Sequence, residues 1–384
     1  GKHPNHETTM LQKLNRYTLF ILALCLTTGA AGCKPGREAQ RRSDRIVWEF
    51  DTTRDVEASP AVAAGRVYVG SNSKKLYCFD AQTGSAIWEF KAQGFMRSSP
   101  AVAGGYVYAG SNDRKIYCLN AQDGAKVWEF ETKGTVVSSP AIANGFVYAG
   151  SYDNRVYCLN ARTGAKVWEF VTRGAVAATP AVSGTSVYVT SFDYRCYCLE
   201  AGTGKKIWEF KTGNMIASSP ALAGGRVYFG SQDHKVYCLD AQTGSRVWDF
   251  DTDERIWSSP AVYNNTVIIG SRNFRLYCLN AQNGSKIWEF KTDYYVVSSP
   301  AVTGSYVYFG SWDNKLYCLN ATTGAKRWEF KMLGSKSSPA VSGGNIYVGG
   351  DDHRVYCIKA TPGDAGSWPM FKGNAARTGS VPAG

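Results

Sequence analysis

The sequence predicts an all-β chain, folded as an eight-bladed β-propeller of four-stranded antiparallel blades with the ring closed by the N-terminal strand. Three observations predict it. A block of about 40 residues recurs eight times in the 384-residue chain, and such a period marks an architecture of stacked or radial units. Each copy holds four short runs rich in Val, Ile, Tyr, Phe and Trp, cut by Gly, Asn and Asp. That is strand-and-turn chemistry, and no run is long enough for a helix. The copies are also offset. The Trp-Glu-Phe-type strand occurs once before the first Ser-Pro unit, and a standard one is missing from the last unit, which ends at Cys357-Ile358.

One copy justifies the elements in order. Ser98-Ser99-Pro100-Ala101-Val102-Ala103 leads to a Gly104-Gly105 turn and then to Tyr106-Val107-Tyr108-Ala109-Gly110. Asn112-Asp113-Arg114 separates this run from Lys115-Ile116-Tyr117-Cys118-Leu119, and Asn120 to Gly124 turns the chain into Val127-Trp128-Glu129-Phe130. A single four-stranded unit cannot bury its apolar face, so the copies must pack on one another. Radial packing into a ring leaves only short, protected edges. The strand Ile46 to Phe50 is the natural outer strand of the last blade, and Trp368 is the rival candidate.

The recurrent tryptophans are predicted to be structural: Trp48, Trp88, Trp128, Trp168, Trp208, Trp248, Trp288 and Trp328. Ala81, Gly84 and Trp88 set the spacing Ala-x-x-Gly-x-x-x-Trp. A tight turn at Gly84 would fold the ring over a small residue and against a neighbouring blade. Burying about 150–250 Å² per ring at about 25 cal/mol/Å² is an upper bound of roughly 4–6 kcal/mol each.

Formal net charge is +12. Many of the charges sit on the last strands, for example Lys126, Lys166 and Lys206, where charge discourages edge-to-edge pairing. The one concentrated basic run is Arg37 to Arg45, so no nucleic-acid partner is expected. Lys13 and Arg16 precede an apolar run from Tyr17 to Leu26, followed by Gly29-Ala30-Ala31-Gly32-Cys33. This is the order of a secretory signal, expected over residues 1–32 with Met10 as the natural start. The Ala-Ala-Gly-Cys ending resembles a bacterial lipoprotein cleavage box, which implies lipidation of Cys33. Lys34 in the following position implies delivery to the outer membrane. Residues 33–44 read as a tether, 45–360 as the propeller and 361–384 as a tail. Eight further cysteines recur once per copy, from Cys78 to Cys357, and Cys196 is extra. Equivalent sites on adjacent blades should stand about 10 Å apart, too far for disulfides. These thiols read as small buried hydrophobes, and no metal-ligand spacing occurs.

The Ala-x-x-Gly-x-x-x-Trp repeat, with Leu-Asn-Ala-Gln-x-Gly at its turn, resembles the tryptophan-docking repeat of PQQ-type β-propellers over residues 45–360. The tail segment Trp368-Pro369-Met370-Phe371-Lys372-Gly373-Asn374 is similar to one that precedes the first blade in many such proteins. Two classes follow from the resemblance. Quinoprotein dehydrogenases imply PQQ, an adjacent Cys-Cys pair, a calcium site and a catalytic Asp. No adjacent cysteines occur here, and His234 and His353 read as turn residues. The lipid-anchored, non-enzymatic propellers of the outer-membrane barrel assembly machinery, the BamB class, imply protein partners in the envelope and no cofactor. The expectation is therefore a monomeric, non-catalytic outer-membrane lipoprotein facing the periplasm, a scaffold that docks envelope proteins. The alternative is a PQQ- or carbohydrate-binding propeller.

Alternating strand direction puts the Gly-Gly and Asn-to-Gly turns on one rim and the remaining loops on the other. The turn rim is nearly invariant among copies, whereas the loop rim varies. Aromatic and Arg residues gather there in copies three to seven, and these types anchor interfaces. The expected partner-binding face comprises Arg97, Tyr152, Phe192, Arg255, Trp257, Arg272, Tyr294, Tyr295 and Trp312. No catalytic, cofactor-binding or metal-binding residues are assigned.

Overall fold

A computed structural model describes residues 44–334, 336–361 and 369–374. The expected signal, Cys33, the tether up to residue 43 and Trp368 lie outside the described residues. Strand β1 (Ile46–Asp51) comes first in the chain but belongs to the last blade. Blade one is β2 (Ala61–Ala63), β3 (Arg66–Gly70), β4 (Lys75–Asp80) and β5 (Ala86–Lys91). Strands β6 (Ala101–Ala103) to β29 (Lys326–Lys331) build blades two to seven in the same order, and β30 (Ala340–Ser342), β31 (Asn345–Gly349) and β32 (Arg354–Lys359) begin blade eight. All eight sheets are four-stranded. β1 pairs antiparallel with β32, Trp48 opposite Cys357, so the N-terminal strand closes the ring.

The first, three-residue strand of each blade lies nearest the axis, each beside its counterparts in the two neighbouring blades. Hydroxyls stitch these inner strands together. The Ser59 amide donates to the Ser99 hydroxyl at 2.9 Å, and Ser99 repeats this to Ser139. The last such bond runs from the Ser338 amide to the Ser59 hydroxyl, again 2.9 Å, joining the two ends of the chain. Outward from the axis, alternate residues of the second and third strands fill the spaces between blades. All nine described cysteines are buried free thiols. Burial pushes Cys78 up to about 11 and Cys118 up to about 12, so these groups stay protonated and inert.

The outer layer is held by the tryptophans, and each docks on the following copy rather than on its own turn. The Trp88 ring lies not over Gly84 but over Gly124 of blade two, and its Nε1–H donates to the Ala121 carbonyl at 3.1 Å. The Tyr68 hydroxyl reaches the same carbonyl at 3.3 Å. Closure uses the same device with parts from both ends of the chain. Trp48 from β1 and Tyr347 from β31 both donate to the Ala81 carbonyl, each at 3.0 Å. At the last boundary Trp328 donates instead to the Thr361 hydroxyl at 3.0 Å, with the Arg45 guanidinium 4.1 Å over its ring.

The glycine under each ring is required twice over. Gly164 has φ +72, and a Cβ there would lie 2.7 Å from the Trp128 ring. Gly104 has φ +58 but opens onto free space. Gly104→Ala should therefore cost about 1–2 kcal/mol for the left-handed backbone alone. Gly164→Ala should cost about 1–3 kcal/mol more for the overpacked ring. Denaturant melts of the two variants measure the difference; equal losses would remove the ring contact from the account.

Candidate functional site

The variable loops form one rim, held by main-chain bonds that do not depend on side-chain identity. In each blade the loop between the second and third strands donates to the loop that enters the blade. Tyr152 donates to the Thr135 carbonyl, Arg272 to Arg255 and Trp312 to Tyr295, at 2.9–3.0 Å. The entering loop also ties back to the preceding blade, as in Ile256 to Ser231 at 3.2 Å. One residue of each entering loop is fully buried, among them Val56, Met96, Val136, Val176, Ile216, Ile256 and Val296. Variation at those positions is variation of core packing. Variation at their neighbours is free to change the surface.

Side chains at the free positions meet across blade boundaries. The Arg272 guanidinium lies 5.1 Å over the Trp257 ring and 4.3 Å over the Tyr295 ring. Tyr295 meets Trp312 edge-on at 5.8 Å and Tyr294 at 4.4 Å. Lys336 bridges onward, 5.9 Å over Trp312 and 3.3 Å from the Glu57 carboxylate. Glu57 is also paired with Arg97 at 3.6 Å. Tyr152 and Phe192 meet edge-on at 5.9 Å, with Arg97 close enough to oppose the upward shift that burial imposes on the Tyr152 hydroxyl. The result is an arc of cations and rings from blade six, through the chain closure, to blade four. Trp257 and Tyr294 remain 41 % and 43 % exposed at its crest.

Eight of the nine residues singled out from sequence take part in this arc. Arg255 stands exposed on the same rim, but its side chain makes none of these contacts. Three members were missed. Glu57 and Lys336 are 279 residues apart and meet only because the ring closes. Phe274 stacks on Tyr294 at 5.6 Å and sits at φ +69, where a bulky residue is a genuine outlier. Its signal was the aromatic at a turn position that holds Asn, Lys, Arg or His in six other copies. Among the described residues, no group of three or more His, Cys, Asp or Glu is placed to hold a metal ion. None of their helices is long and apolar enough to cross a membrane.

A second acidic group stands beside the arc. Burial pushes the Asp351 carboxyl up to about 6; Lys336 opposes the shift, while Asp55, Glu57 and Asp352 add to it. One of its oxygens is buried without a hydrogen-bond partner. In the unfolded chain the group ionises near pH 4. Between about pH 4 and 6 the folded state therefore holds more proton than the unfolded state, and stability falls as pH rises through that window. Asp351→Asn should be more stable than the parent at pH 7, with the advantage vanishing below about pH 4. Melting temperature against pH tests this; a constant offset would contradict it.

No curated protein matches the sequence. Among solved structures, BamB from Moraxella catarrhalis superposes with a TM-score of 0.71 at 20 % identity, over 82 % of this chain and 99 % of that one. The computationally designed Ika8 protein gives 0.75 at 14 %, over 82 % and 99 %. The quinohemoprotein alcohol dehydrogenase ADHIIG from Pseudomonas putida HK5 gives 0.71 at 16 %, over 82 % and 76 %. At these identities the likeness is one of fold. The family model described as outer membrane protein assembly factor BamB matches residues 37–139, 98–179 and 153–368. With that match over most of the chain, on a closed ring of eight tryptophan-docked blades, this protein belongs to the BamB family.

Proposed function

We infer that this protein is a non-catalytic docking propeller of the bacterial cell envelope that recognises protein partners in outer-membrane protein assembly. One observation carries the reading: the loop rim presents Trp257, Arg272, Tyr294, Tyr295 and Trp312 as one connected surface. Tyr, Trp and Arg supply most hot-spot energy in protein interfaces. Their backbone is already tied in place, so docking orders little chain and loses little to conformational entropy. In this reading Cys33 carries a lipid that holds the ring at the periplasmic side of the outer membrane. Residues up to 44 give it reach, the ring acts as a monomer, and no quinone cofactor takes part.

The test is site-specific photocrosslinking in cells from the exposed position 254, in the parent and in the triple variant Arg255→Ala, Trp257→Ala, Tyr294→Ala. These three are exposed, so stability should change by less than about 1 kcal/mol. Partner affinity should fall tenfold or more. A crosslink to a barrel-assembly subunit, lost in the triple variant, is the predicted result. Crosslinking to a redox carrier, or capture that survives the triple substitution, would overturn the assignment.

A further inference from the structure

The bore of the ring is crossed by the chain's own C-terminal segment. The Val341 amide of β30, on the inner edge of blade eight, donates to the Pro369 carbonyl at 2.7 Å. Met370 is buried with Ala58, Val62 and Ala340 of blades one and eight. A turn follows, closed by the Gly373 amide on the Met370 carbonyl at 2.8 Å. At its tip the Lys372 ammonium donates to the Pro220 carbonyl. Pro220 precedes β18 (Ala221–Ala223), the inner strand of blade five. The segment thus reaches from the wall of blade eight to that of blade five.

Two features give this contact a chemistry. Lys372 is only 2 % exposed, and a lysine is almost never buried so deeply unless its charge is met. The wall meets it with a backbone carbonyl, that of Pro220. Proline has no N–H, so the residue opening each inner strand offers only a carbonyl, and a proline stands there in all eight copies. Backbone carbonyls gathered round an axis can replace the hydration shell of a cation. Lys372 also adopts φ +64, a conformation that costs a non-glycine residue about 1–2 kcal/mol. The turn carries that strain at the residue whose amine reaches the wall.

We propose that the proline-carbonyl level of the bore is a binding site for a primary ammonium group. Lys372 is its resident ligand, delivered in cis on a turn that reaches from the wall of blade eight to that of blade five. The site shares no residue with the docking arc.

The experiment uses the full chain with Lys372→Ala and Lys372→Met. Hydrogen exchange at the Val341 amide reports whether the segment is seated. Both variants should exchange there at least tenfold faster than the parent, with β-sheet content unchanged. Millimolar propylammonium chloride should restore slow exchange in Lys372→Ala, while tetramethylammonium chloride at equal ionic strength should not. The methionine variant keeps the aliphatic stem and separates charge from packing. Parent-like protection in Lys372→Met, rescue by tetramethylammonium equal to that by propylammonium, or no rescue by either cation would each overturn the proposal.

Discussion

The fold depends on one contact repeated around a circle: a tryptophan of one blade laid on the turn of the next. The indole N–H and a tyrosine hydroxyl converge on a single alanine carbonyl, and the ring face lies where a glycine lacks its Cβ. Each part needs the others. The carbonyl is exposed to the indole only because the turn is left-handed at glycine, and the ring fits only because that glycine has no side chain. A net hydrogen-bond contribution of about 1 kcal/mol is modest, but it comes with a large buried aromatic area and fixes the angle between successive blades. Repetition at one angle closes the circle, so that Trp48 and Tyr347, from opposite ends of the chain, meet at Ala81.

Closure explains why the rim can vary. The inner hydroxyl bonds and the loop-to-loop amide bonds use atoms common to every copy, so substitutions at the crest of a loop leave them intact. Variation at Asn72, Tyr152, Phe192, Arg272 and Trp312 changes the chemistry presented without changing where it is presented. The Lys336–Glu57–Arg97 bridge carries this surface across the point where the chain ends join. A rigid frame with exchangeable tips suits recognition better than motion-dependent chemistry.

The number of blades, their strand order and closure by Ile46–Asp51 were legible in the sequence because a 40-residue period admits few architectures. The direction of the tryptophan contact was not. Ala81, Gly84 and Trp88 are close in sequence, yet the ring of Trp88 finds its partner 33 residues onward, and local spacing does not encode which neighbour a side chain faces. The aromatic part of the rim was legible from residue types that break the repeat. Glu57 and Lys336 were not, since ordinary charges gain meaning only when closure brings them together. The seat of Lys372 was invisible for the same reason: nothing local in Met370-Phe371-Lys372-Gly373 points to a carbonyl 152 residues away.

If the fold rests on this contact, the interblade indole bonds are as durable as the ring itself. Hydrogen exchange of the eleven indole N–H groups, resolved by tryptophan-selective nitrogen labelling, tests it directly. Trp48, Trp88, Trp128, Trp168, Trp208, Trp248 and Trp288 should exchange only through global unfolding, while Trp328, bonded to a threonine hydroxyl, should exchange sooner. Exchange of the seven within seconds, in a chain whose sheets remain protected, would contradict it.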